Sequence, residues 1–226
     1  MRSIQILSVF GFFAAACTLA HAAVTRADII AQMDRAAGTF RQMTADVVRT
    51  TYTKVLSEKN VETGTVRMRR LSGGEVQGLE ELTSPDHKFY AFEKRTLRIY
   101  TPAIKTVQVF DLGQYGDQLD QFLSIGFGTS GKELAKDYDV TVVDANTVPN
   151  TTLVRLFPHD SEVKKHLTKI DLWLTADDYP IQEKLWEPSG DWILINYSNV
   201  RINPNLAPEA FTLKLPPGPK EEHPQR

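Results

Sequence analysis

Gly126, Gly131 and Lys132, in the stretch GFGTSGKE, stand at the spacing of a phosphate-cradling loop, G-x-x-x-x-G-K-[ST]. In such a loop backbone amides hold phosphate oxygens and a Ser or Thr hydroxyl ligates magnesium. Residue 133 is Glu, so the magnesium ligand is missing and a carboxylate would face the phosphates. The loop should also follow a buried strand, yet GDQLDQFLSI sets Leu119, Phe122 and Leu123 at helical spacing. The pattern predicts a joint between two short helices instead. Gly126 and Gly128 end the first, and Ser130 with Glu133 forms a capping box that opens the second.

Other reactive residue types are no better arranged. His87, His159, His166 and His223 lack a second His or Cys at metal-site spacing, and no H-E-x-x-H occurs. Ser189 in EPSGDW lacks the first glycine of a nucleophile elbow. The pairs Asp177/Asp178 and Glu80/Glu81 are adjacent, and neighbours on a strand point to opposite faces, so neither pair can flank one substrate. Asn150-Thr-Thr and Asn196-Tyr-Ser match the glycosylation pattern, a motif short enough to arise by chance. The residues therefore predict no catalytic group, no metal and no cofactor. A formal charge of −2, from 26 basic and 28 acidic residues, offers no global field for nucleic acid. The local cluster Arg67, Arg69, Arg70, Lys94, Arg95 and Arg98 is either a basic patch or a set of solvated strand faces.

The ends suggest where the protein works. MRSIQILSVFGFFAAACTLAHA carries an early cation, an apolar run from Ile4 to Ala16 and the small-x-small site Ala20-His21-Ala22. This reads as a secretory signal peptide over residues 1–22, too short in its apolar run for a membrane-spanning helix. The alternative is a lipidated Cys17, preceded by FAAA, which would anchor the chain. As the single cysteine it can form no disulfide within the chain. Residues 23–215 read as one domain, and the Pro-rich, charged tail from Pro216 to Arg226 as disordered.

The elements that must position everything else follow from periodicity. Thr25 and Asp28 open an amphipathic helix bearing Ile29, Ile30, Met33, Ala37, Phe40 and Met43. The period then changes to two. ADVVRTTYTKV and ETGTVRMRRL read as strands separated by the polar turn SEKN, and short strands continue to WILINYSNVRI, about eleven in all. Helical residues 115–138 interrupt them. The pattern is α+β, or a curved sheet with helices to one side. Val66, Met68 and Arg70 share one face of their strand, while Thr65, Arg67 and Arg69 share the other. The helices are few for so wide an apolar face, which leaves two possibilities open: a filled core or an internal apolar cavity.

Several segments together resemble the periplasmic lipoprotein carriers of the LolA/LolB type. GTVRMRR is similar to that family's strand ending in basic residue and Arg, EKRTLRIYTP to its D-G-x-x-L-x-x-Y-x-P turn and strand, and FTLKLPPG to its closing F-x-L-x-P-x-G segment. The order also fits over residues 24–218. The resemblance implies an unclosed β-barrel, a strongly curved antiparallel sheet with the amino-terminal helix and the short central helices as a lid. It implies a monomeric, non-catalytic carrier of lipoprotein acyl chains or related lipids, served by an inner-membrane donor and an outer-membrane acceptor. Phe40, Met43, Val66, Met68, Phe89, Leu97, Ile99 and Leu172 are the expected cavity residues; Leu119, Phe122, Leu123 and Phe127 are the expected lid. Arg70 matches the family's lid-holding arginine, and it lies at the end of the Val66/Met68 face. Leu71, Arg67 and the EKR turn depart from the family pattern. The same architecture also serves lipid-binding or envelope-sensing modules, which is the alternative function.

Overall fold

The computed structural model describes residues 24–72, 74–113, 125–145 and 147–224. The expected signal peptide, Cys17 and the lid positions Leu119, Phe122 and Leu123 lie outside the described residues.

Reciprocal capping starts both longer helices. In α1 (Arg26–Thr39) the Thr25 hydroxyl accepts from the Asp28 amide at 3.2 Å, and the Asp28 carboxylate accepts from the Thr25 amide at 2.9 Å. In α2 (Gly131–Asp137) Ser130 and Glu133 make the same exchange, at 3.1 and 3.4 Å. The phosphate-like loop thus leads into a capped helix, while the helix expected before it lies outside the described residues. The Lys132 amide in it donates to Asp34 of α1 at 3.1 Å, a carboxylate occupying ground a phosphate would need. α1 and α2 cross closely at Gly131, where a Cβ would stand 2.4 Å from the Ile30 carbonyl oxygen. A third helix, α3 (Ser161–Lys164), is a single turn capped by Asp160.

The strands are β1 (Gln42–Thr53), β2 (Glu58–Arg70), β3 (Val76–Ser84), β4 (Lys88–Glu93), β5 (Thr96–Thr101), β6 (Thr106–Asp111), β7 (Tyr138–Val143), β8 (Thr152–Pro158), β9 (Lys169–Leu174), β10 (Pro180–Trp186), β11 (Trp192–Ile202) and β12 (Lys220–Glu222). They form one sheet of 12 strands in the order β12-β6-β5-β4-β3-β2-β1-β11-β10-β9-β8-β7.

This corrects the expected strongly curved, barrel-like antiparallel sheet. The sheet is open, with β12 and β7 as separate edges, and it is mixed, because β12 runs parallel to β6. Extensive strand-to-strand contact is confined to hydrogen-bonded neighbours, so the sheet does not curl strongly back on itself. Alternation in a sequence fixes which side of a strand a residue faces; it carries no information on how far the sheet bends. Two local expectations also change. The turn between β1 and β2 is Lys54–Ser57, closed by the Ser57 amide on the Lys54 carbonyl at 3.1 Å, and Glu58, Lys59 and Asn60 of the supposed turn begin β2. Part of the Pro-rich tail, Lys220–Glu222, is the strand β12.

Register sorts the side chains onto two faces. One carries Met43, Ala45, Val47 and Arg49 of β1, paired across from Met68, Val66, Gly64 and Glu62 of β2. The same face continues through Leu172 and Ile170 of β9 to Val154 and Leu156 of β8. Over β7–β9 the helices fill it, with Ile29, Met33 and Leu134 packed against Val140, Val154, Leu156, Ile170, Leu172 and Leu174. The opposite face is covered over β2 and β3 by a 3-10 turn, Pro208–Phe211, whose Phe211 is buried beneath the Arg69 guanidinium.

Candidate functional site

Beyond the helix-covered half, the inner face of β1–β5 and β11 borders a hollow of about 280 Å³. Its walls include Met43, Val47, Val66, Met68, Val76, Phe92, Leu97 and Ile195, and Phe127 closes one side. Period-two alternation builds the wall: Met43 and Val47 stand two positions either side of Ala45, and Val66 and Met68 are adjacent inward positions on β2. Gly78 on β3 adds room. A Cβ there would find only the Arg67 carbonyl oxygen, at 3.9 Å.

One end of the hollow is charged. Arg49 donates to Glu62 at 2.8 and 3.1 Å and to Glu80 at 3.0 Å, and it lies over the Tyr90 ring at 4.9 Å. Burial opposes the Arg49 charge, but Glu80 and Glu62 more than offset it and its pKa is raised. Burial also pushes the Glu80 carboxyl up, with Arg49 pulling down and Glu62 adding to the rise. The Lys88 ammonium, 3.8 Å from Glu62, adds a second cation to this group.

The other end is where the helices meet the sheet. Arg70 reaches from the end of β2 to the Ala37 carbonyl in the last turn of α1, at 3.4 Å, and donates a second, short hydrogen bond to the Gly128 carbonyl. It thereby ties the end of α1 to the joint before α2. Phe127 meets Tyr197 edge-on at 5.0 Å, and the Tyr197 hydroxyl donates to Glu183 at 3.3 Å. Glu183 as a residue is half-buried, but its Oε1 is shielded and has no hydrogen-bond partner among the described residues. Burial raises that carboxyl to about 8, against the smaller pull of Tyr197.

The expected cavity residues divide. Met43, Val66, Met68 and Leu97 line the hollow. Phe40 is buried beside it, in one cluster with Met43, Met68 and Phe127. Leu172 is on the same face but under the helices. Ile99 pairs across from Tyr90 on that face without lining the hollow. Phe89 is on the opposite face, stacked on Tyr100 at 6.0 Å. Of the expected lid, Phe127 is buried and lines the hollow. Of the basic residues, Arg67 pairs with Glu81 at 3.5 Å, Arg69 donates to Gln77, and Arg70 turns inward, away from the face of the other two. Arg49 and Glu183 had no part in the sequence expectation, and Glu80 entered it only as a carboxylate that could not flank a substrate with Glu81, although each falls in step with apolar neighbours two positions away. Among the described residues no group of three His, Cys, Asp or Glu could hold a metal ion.

An open, mixed sheet with one apolar face shared between helices and a hollow defines the fold class. No family model matches the chain, and no curated protein matches it by sequence. Among solved structures, MucB aligns at a TM-score of 0.52 with 14% identity over 84% of this chain and 62% of its own. The chain therefore spans less than two thirds of that structure. An uncharacterized conserved protein from Thermus thermophilus aligns at 0.51 with 10% identity, over 87% of this chain and 98% of its own. A LolA superfamily protein from Nitrosomonas europaea aligns at 0.41 with 15% identity, over 84% of this chain and 99% of its own. The likeness to MucB and the Thermus protein is one of fold.

Proposed function

We propose that the protein is an exported, non-catalytic carrier that shelters an acyl chain of a lipoprotein, or of a related lipid, in the hollow and delivers it towards the outer membrane. The observation that carries this reading is the hollow itself, an apolar space of about 280 Å³ on a sheet face that is otherwise packed. Its size is near the lower end of the roughly 300–1,000 Å³ of small-molecule sites, which fits one chain better than several. The order of the LolA/LolB-like motifs supports the same reading, as does the amino-terminal pattern of a cleaved signal peptide. Moving a 16-carbon chain from water into an apolar site is worth on the order of 12 kcal/mol. Unassisted passage through water is correspondingly slow, and shelter alone, with no reaction, is a useful service. Release requires a cover of marginal stability, and Phe127 with the Arg70 ties is the part of that cover the reading assigns.

The test is native mass spectrometry of protein purified from its own cell envelope, followed by titration with a fluorescent fatty acid. The expected result is one bound lipid, displaced by the fluorescent chain. Gly78→Leu, which grows into open space from the wall, is expected to weaken uptake at least about tenfold with the thermal midpoint unchanged or higher. Wild-type protein that carries no lipid and takes up no fatty acid would rule the reading out.

A further inference from the structure

The β1–β2 turn is built from the wrong residues for a turn in water. Its central positions are Val55 and Leu56, where Gly, Asn, Asp or Pro would be expected. They are 89% and 62% exposed, and nothing among the described residues covers them. With Ile104, 68% exposed in the β5–β6 turn, they are the most exposed large apolar side chains among the described residues. Strand direction puts both turns at the same end of the sheet. Register carries the β1–β2 hairpin several residues beyond the ends of β3 and β5, so Val55 and Leu56 form its protruding tip while Ile104 stands back from it. Single exposed apolar residues are ordinary, whereas two adjacent ones at the tip of a protruding hairpin are a pattern.

Immediately behind the β1–β2 turn, on the outer face, is a cationic aromatic shelf. Trp192 stacks on Tyr52 at 5.2 Å. The Lys184 ammonium sits between the Trp186 and Trp192 rings, 3.8 and 4.2 Å from their centroids. Lys169 lies over Trp186 at 4.7 Å and Lys59 over Trp192 at 5.7 Å. One carboxylate, Asp171, faces this group: it is buried, held by Arg155 at 2.6 and 3.1 Å, accepts from the Trp186 indole at 3.0 Å and pairs with the Lys169 ammonium at 3.8 Å. Glu58 and Glu187 stand exposed near the tips and offset part of the charge. The Lys54 amide donates to Asp191 at 2.7 Å, which ties the β1–β2 turn to the β10–β11 turn between the two tryptophans.

Apolar tips, ring planes and ammoniums on long stems, ordered from the rim inward, match the layers of a bilayer surface: acyl boundary, interface and phosphate. We propose that this end of the sheet docks on an anionic lipid bilayer, with Val55 and Leu56 entering the interface and Lys59 and Lys184 meeting lipid phosphates. The surface is on the outer face and the rim, apart from the hollow, so the proposal does not depend on what the hollow holds.

Flotation of the purified protein with vesicles of phosphatidylglycerol and phosphatidylcholine, against phosphatidylcholine alone, tests it. Binding is expected to favour the anionic vesicles and to weaken as salt rises. The double variant Val55→Ser/Leu56→Ser should bind at least about tenfold more weakly. Lys59→Gln/Lys184→Gln should lose the preference for phosphatidylglycerol. The turn-tip variant should keep the wild-type unfolding midpoint, since neither Val55 nor Leu56 packs in the core, and the lysine variant should stay folded, with a midpoint lowered only by the loss of the Lys184 contacts to Trp186 and Trp192. Gly78→Leu should dock as wild type, which separates this outcome from loss of uptake by the hollow. The proposal is overturned by absence of flotation, by double variants that float like the wild type, or by soluble polyphosphate binding as tightly as vesicles.

Discussion

Glu183 and Arg70 occupy the joint between the helices and the sheet, and each has a measurable consequence. The Glu183 carboxyl titrates near 8 in the fold, against about 4.5 when exposed. Between those values the folded state holds a proton that the unfolded state has released, so stability falls as pH rises from about 4.5 to about 8 and is level with respect to this group above that. Glu183→Gln should therefore flatten the decline of the thermal midpoint between pH 5 and pH 8. The variant should exceed the wild type most at pH 8, by a few kcal/mol at most, since one pKa unit corresponds to about 1.4 kcal/mol. Identical slopes for the two proteins would show that the carboxyl is solvated. Arg70 makes charge-assisted bonds to the Ala37 and Gly128 carbonyls. Arg70→Leu should cost about 1.5–3 kcal/mol in urea unfolding, and it should speed release of a bound fatty acid if the joint moves during release. Neither role was legible beforehand to the same degree. Arg70 ended an apolar strand face and matched a family position, while Glu183 in PIQEKLW looked like any charge on a half-exposed strand.

At the scale of elements, the packing of α1 on α2 gives a prediction whose sign separates two principles. Gly131 is the first residue of α2, and helix propensity alone would make Ala about 1 kcal/mol better than Gly there. The Ile30 carbonyl carbon and Cα would lie 2.9 and 2.7 Å from the new Cβ, and backbone cannot step aside as a side chain can. Gly131→Ala should thus destabilise by about 1–3 kcal/mol, read from denaturant unfolding; a gain would mean the helices cross more loosely. The helix itself could be read from Ser130 and Glu133, because a capping box is local chemistry. Strands were equally legible where polar and apolar residues alternate, as in TVRMRR. Legibility failed where alternation was absent. KFYAF is apolar at most positions, and Phe89 proved to face away from the hollow while Tyr90 and Phe92 line it. The β1–β2 turn was misplaced because Val55 and Leu56 look like strand, and β12 was unforeseen because three residues in parallel pairing carry no periodicity.

For the whole molecule, one apolar face is stabilised in two ways. Over β8 and β9 it is packed by helices, with Val154, Leu156 and Leu172 fully buried, and over β1–β5 it borders an unfilled space. Period-two reading found that face but could not divide it, which is why Leu172 and Met68 looked alike in sequence and differ in surroundings. The division should appear in the local stability of the sheet, because segments with fewer buried contacts open at lower free energy. β9 is third from the β7 edge and β4 is fourth from the β12 edge. If distance from an edge governed opening, β9 amides would exchange with solvent before those of β4. If packing governs it, β4 should exchange first, at least about tenfold faster, since each 1.4 kcal/mol of opening free energy is a factor of ten. Gly78→Leu puts side-chain atoms into the space beside Phe92 of β4 and should narrow the difference by slowing β4 more than β9. Native-state hydrogen exchange on both proteins reads this directly. Equal protection of the two strands in the wild type would mean that the hollow costs the sheet nothing, and that its face is as firmly held as the half beneath the helices.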